Sequence, residues 1–189
     1  MKLGSTLLAL AVLVSASLSA PGEARAVERQ HHLGLGPTLG ILKVDGKSTL
    51  DVGAGATLHY AYGLNDQFNL MGEVGSAVVA ANQKQDYQEA PKNRPARLDH
   101  ASVGVGYVID ILTWVPYATA QLGMHHVSGG TLTSSLLVPS AQLGLGIDYQ
   151  LSRSFAVGVA ARQHFLLTKM SDYPTYTTAT LRLEYMWGF

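Results

Sequence analysis

The 189-residue sequence contains no cysteine. That excludes disulfides, thiolate metal sites and a lipid-modified cysteine. Charge is scarce too. Asp, Glu, Lys and Arg make up 14% of the chain, against roughly 25% in soluble domains. Basic and acidic residues balance at 13 each, so no basic excess is available to follow a nucleic-acid backbone. Beyond the N-terminal segment no apolar run approaches the ~18 residues of a membrane-spanning helix. Phosphate-binding loops are also missing. Gly104-x-Gly106 and Gly144-x-Gly146 fall inside strand-like patterns rather than before helices. His31-His32 and His125-His126 are adjacent pairs. On a strand the two members of such a pair face opposite sides, so one pair does not easily ligate one metal. The sequence predicts neither metal nor cofactor.

What is present begins with an export signal. Lys2 supplies a short positive region, and Thr6 to Leu18 form an apolar stretch. Ala24-Arg25-Ala26 then matches an A-x-A cleavage site. Residues 1–26 read as a signal peptide and 27–189 as one mature domain. Removing Lys2, Glu23 and Arg25 leaves 11 basic and 12 acidic residues, a net charge of −1.

The mature chain alternates apolar with small or polar residues over eight segments: 31–43, 50–64, 68–82, 97–110, 114–126, 135–149, 154–166 and 175–189. In the second, Val52, Ala54, Ala56, Leu58, Tyr60 and Tyr62 alternate with Gly53, Gly55, Thr57, His59 and Ala61. A period of 2 is the strand signature. An exported, charge-poor chain without a spanning helix, built of such strands, predicts an all-β, eight-stranded antiparallel up-and-down transmembrane barrel. That fold pairs every backbone group and leaves no edge in lipid.

The connections support this. Those near 65–67, 110–113 and 150–153 are tight, and those near 44–49, 83–96, 127–134 and 167–174 are longer and polar. Barrels of the bacterial outer membrane have short periplasmic turns and longer outer loops. Aromatic residues then test the arrangement. Tyr60, Tyr62, Phe68, Tyr107, Trp114, Tyr149 and Phe155 all fall on the apolar parity near the short-turn end. That is the expected place of a membrane girdle.

The opposite parity carries glycines and a few long polar residues: Glu73, Gln121, Gln142, Arg162, Arg182 and Glu184, with His59, His125 and His164. Eight strands enclose an interior just wide enough for side chains. Counted from the strand ends, Glu73 and Glu184 share one height and Arg162 and Arg182 stand about one pleat above. These residues are expected to form a paired polar network that plugs the lumen.

The last nine residues give the sharpest motif. Leu181, Leu183, Tyr185, Trp187 and Phe189 share one face, and the chain ends on Phe189. This run resembles the C-terminal signal that the barrel-assembly machinery reads in bacterial outer-membrane proteins. The mature chain as a whole resembles the small OmpA/OmpX/OmpW-like barrels of Gram-negative bacteria. The resemblance implies an outer-membrane location. Its implied partners are the assembly machinery, outer-membrane lipids and lipopolysaccharide, with a monomeric state and no nucleic acid.

Fold does not fix function. The leading expectation is a non-enzymatic structural or surface-interaction barrel. A narrow channel for small or apolar solutes is the alternative. A further alternative rests on His126-Val127-Ser128, which is similar to the His and Ser of lipid A deacylases. Positions 129–147 hold no acid to complete a triad.

Overall fold

The computed structural model describes residues 29–43, 50–80, 95–109, 113–130, 132–167 and 175–188. The signal segment 1–26 and Phe189 lie outside these. The described chain forms eight strands: β1 His31–Lys43, β2 Leu50–Gly63, β3 Phe68–Ala80, β4 Arg97–Val108, β5 Trp114–Ser128, β6 Leu136–Gln150, β7 Phe155–Leu166 and β8 Tyr176–Trp187. Each pairs antiparallel with the next, and β8 closes on β1. All eight match the expected segments to within a few residues.

Alternation decides which face looks inward. In β8, buried and exposed residues alternate from Thr178 to Trp187. The outward set is apolar, with Leu143 and Leu145 of β6 at 56% and 68% exposure. Polar groups interrupt it in places: Thr177 donates to the Gln163 carbonyl oxygen at 2.5 Å, and Asp99 stands between Arg97 and His126.

Two of the short turns hold themselves closed with a side chain. Asn65 Oδ1 accepts from the backbone N–H of Gln67 and Phe68, at 2.9 and 2.8 Å. Ser152 Oγ accepts from Ser154 and Phe155, at 3.3 and 3.1 Å. Asn and Ser suit this role because their short polar side chains reach the backbone two or three residues on.

The strands are strongly staggered. One row of paired residues runs Thr177–Gln163–Leu143–Ala120–Val105–Leu70–Tyr62–His31 around the barrel. It returns to β8 at Trp187, ten residues from its start. Strand number, stagger and tilt are linked in a closed barrel, so every such row climbs as it circles.

The β1–β8 seam has one irregularity. The ladder runs from Leu35↔Leu183 to Thr38↔Thr180 and skips Gly36 and Pro37. Proline has no N–H to donate. Beside it the β8 backbone approaches so closely that a Cβ on Gly36 would overlap the Leu181 carbonyl oxygen. Only glycine fits that approach.

Candidate functional site

The polar side chains converge in the interior. Gly144 and Gly146 of β6 and Gly158 of β7 stand at inward positions, which makes room for large groups on the paired strand. A Cβ on Gly146 would overlap the Tyr117 ring, and one on Gly158 would overlap the Asp148 carboxylate.

At mid-barrel, Arg162 Nη2 of β7 stands 2.6 Å from Glu73 Oε2 of β3. The contact is an ion pair whose angle falls outside the hydrogen-bond range, since neither atom has a hydrogen-bond partner. Glu73 Oε1 also accepts from His100 Nε2 at 3.2 Å. Gln142 Nε2 donates to Gln121 Oε1 at 2.9 Å and to Ser102 Oγ at 2.8 Å, and Ser102 donates to Gln121 at 2.7 Å. Thr38, Thr57 and Thr180 join through their hydroxyls.

A second group lies nearer the short-turn end. Arg182 Nη2 donates to Glu184 Oε1. His59 Nε2 stands 2.5 Å from the same carboxylate oxygen and 2.7 Å from Arg182 Nη2. It donates to one or accepts from the other, not both. Arg182 Nη1 lies 3.5 Å from Asp148, and its guanidinium sits 4.5 Å over the Tyr117 ring.

The six polar residues therefore divide into two groups and do not form one layer. The expected equal height of Glu73 and Glu184 is wrong. They share one ladder row, Glu73–His59–Gly34–Glu184. A row that climbs ten residues in eight strands shifts by about four residues over three. Counting from strand ends ignores that climb.

Toward the longer connections the character changes. His100, His125 and His164 have ring centroids 5.2–5.3 Å apart. His125 bonds Ser140 and the Tyr176 hydroxyl, at 2.7 and 2.6 Å, and His164 bonds Thr178 at 3.0 Å. Among the described residues no three His, Asp or Glu are arranged to hold a metal. Beyond the histidines, Leu42, Val79, Leu98, Val127 and Tyr176 are buried together. At the opposite end a cavity of ≈ 670 Å³, open solvent at its mouth included, is lined by Asp148, Arg182, Glu184, Tyr117 and their neighbours.

The seven aromatics expected in a girdle point outward, as do Tyr185 and Trp187. Most meet across strands: Phe68 with Tyr107, Trp114 with Tyr149 and Phe155 with Tyr185, at 4.8–5.3 Å between centroids. At the seam His31 stacks on Trp187 and bonds the Tyr60 hydroxyl at 2.6 Å.

The model of the outer membrane protein β-barrel domain family matches residues 7–189. The chain belongs to that family. No curated protein matches. Among solved structures, the barrel is similar to Ail, the attachment invasion locus protein of Yersinia pestis. Identity is 20%, coverage 85% of this chain and 99% of Ail, and the TM-score 0.55. Neisserial surface protein A is 12% identical over 84% of this chain and 97% of its own, with a TM-score of 0.62. The N-terminal barrel domain of Pseudomonas aeruginosa OprF is 14% identical over 85% and 98%, with a TM-score of 0.56. At such identities the likeness is one of fold alone. In an outer-membrane barrel the termini and short turns face the periplasm and the longer connections face outward.

Several residues that complete these groups, and the acid beside His126, are not singled out by parity alone; His100, Asp148 and Asp99 show why. His100 shares its parity with Ser102 and Gly104, so the signal was present. Asp148 was visible as inward but not as a neighbour of Arg182. Asp99, from β4, pairs with His126 in the ladder, its Oδ2 3.4 Å from His126 Nδ1. A search along one strand cannot find an acid on the next.

Proposed function

We propose that this barrel is a non-conducting outer-membrane scaffold that acts through its outer connections. One observation carries the reading. The buried cluster of Leu42, Val79, Leu98, Val127 and Tyr176 lies across the outer end of the interior, above the Glu73–Arg162 pair. A continuous water path would have to wet that cluster and separate that pair. The longest connection leaves β3 at Ala80 and enters β4 at Arg97, both at that same end of the barrel. Two measurements test this. In planar bilayers the protein should give no conductance steps. Shortening 81–96 should leave heat-modifiable folding intact. A conducting barrel, or one that needs 81–96 to fold, would overturn the reading.

The hydrolase reading stands second, favoured by Asp99 beside exposed His126. Against it, Asp99 also accepts from Arg97 Nε at 2.9 Å, and the described residues include no His126–Ser128 hydrogen bond. Fatty-acid release from lipopolysaccharide, abolished by Ser128→Ala, would establish it.

A further inference from the structure

At the periplasmic mouth five side chains hold buried polar atoms without hydrogen-bond partners. They are His32 Nε2, Asn69 Oδ1, the Tyr117 hydroxyl, Asp148 Oδ1, and Nε and Nη1 of Arg182. Each residue is about nine-tenths buried or more, and all five line the cavity described above. Buried polar groups normally find partners. Four of the five side chains present atoms that can accept, on His32, Asn69, Tyr117 and Asp148, and they mark a place that a guest carrying N–H donors completes. We propose that this cavity binds a small primary alkylammonium ion.

Charge sets the sign. Arg182 and Glu184 are bonded to each other and cancel. Asp148 is then in surplus, its one ionic contact among the described residues being Arg182 at 3.5 Å. A buried carboxylate short of partners takes a cation or keeps a proton.

Donor chemistry sets the class. His32 Nδ1 lies 3.5 Å from Glu184 Oε2. If the proton is on Nδ1, Nε2 is left as an acceptor. Asp148 Oδ1, Asn69 Oδ1, His32 Nε2 and the Tyr117 oxygen then give four acceptor positions, against the three N–H donors of an ammonium group. A metal ion fits less well, because the described residues include no three-ligand set. A carboxylate could take the free N–H groups of Arg182, but it would stand against the carboxylates of Asp148 and Glu184, which line the same cavity. Gln30, Gln150 and Glu184 add polar wall, and the apolar part, including Met71, Val108 and Met186, suits a short alkyl chain.

The test is an NMR titration of the folded barrel in micelles with n-propylammonium chloride. n-Propanol, sodium propionate and sodium chloride are the controls. Backbone shifts should saturate and cluster at Tyr117, Asp148 and Gly158, and the three controls should not reproduce them. Asp148→Asn should weaken binding at least tenfold. Tyr117→Phe, which keeps the ring beneath Arg182, should weaken it severalfold. That variant decides the matter if Asp148→Asn does not fold. Shifts that do not saturate, that sodium chloride reproduces, or that persist unchanged in the variants would overturn the proposal. So would no shift at all, the result expected if Asp148 keeps its proton or the cavity holds water only.

Discussion

Arg162 and Glu73 meet at 2.6 Å from opposite walls of the barrel. β7 and β3 are four strands apart in a ring of eight, so the pair spans the bore. Arg162 is 2% exposed and Glu73 3%. The two charges are removed from water together, which requires that each has the other.

Breaking that pair should therefore cost more than losing one contact. Removing one partner of a buried ion pair typically costs about 3–5 kcal/mol, because the survivor is left uncompensated. Arg162→Ala should lower unfolding stability in urea by that order. Adding Glu73→Ala should recover part of the loss. Glu73 and Arg182 belong to different groups, so their double-mutant cycle should be nearly additive. Additivity for Glu73 with Arg162 would remove the pair from the account.

The two faces of β6 give a second prediction. Leu143 faces outward and Gly144 inward. Leu143→Lys places a charge against lipid, at about 2–4 kcal/mol near the midplane. Gly144→Lys meets a different obstacle, since even its Cβ would crowd Thr119 Oγ1 and Arg162 Cγ. The Leu143 variant should recover in thin-bilayer or detergent hosts that tolerate the charge, and the Gly144 variant should not. Equal stability of Leu143→Lys and wild type in bilayers would put that register in error.

The fold was legible because β6 and β8 alternate so regularly that parity alone separates Leu143 from Gly144 and Leu181 from Arg182. Which residues meet inside was less legible. Parity says that Glu73, Arg162, Arg182 and Glu184 point inward, but their relative heights depend on the stagger. The stagger is set by pairing between strands far apart in sequence, as where Gly34 meets both His59 and Glu184. Asp99 beside His126 is the same lesson on the outer face.

The seam offers a third prediction. Gly36→Ala forces a Cβ onto the Leu181 carbonyl, where backbone and not a flexible side chain must give way. Closure of β1 on β8 should suffer, with less heat-modifiable protein on refolding. Gly40→Ala on the same strand meets open space and should refold normally. If both behave alike, close approach at Gly36 is not what the glycine provides.

A fourth concerns Phe189, which lies outside the described residues. Leu181, Leu183 and Tyr185 before it all face outward, and Trp187 does so too. Deleting Phe189, or replacing it with a charged residue, should reduce membrane-embedded protein in cells while leaving refolding in detergent largely intact. Loss in both assays would point to a structural role rather than recognition by the assembly machinery.

The central claim is that the interior is closed by the Leu42–Tyr176 cluster and the Glu73–Arg162 pair. Single-channel recording in planar bilayers tests it most directly. The account predicts silence from the wild-type protein and intermittent conductance only from variants that remove the pair and part of the cluster, such as Glu73→Ala with Arg162→Ala and Leu98→Ala. Discrete, reproducible conductance steps from the wild-type barrel would contradict it.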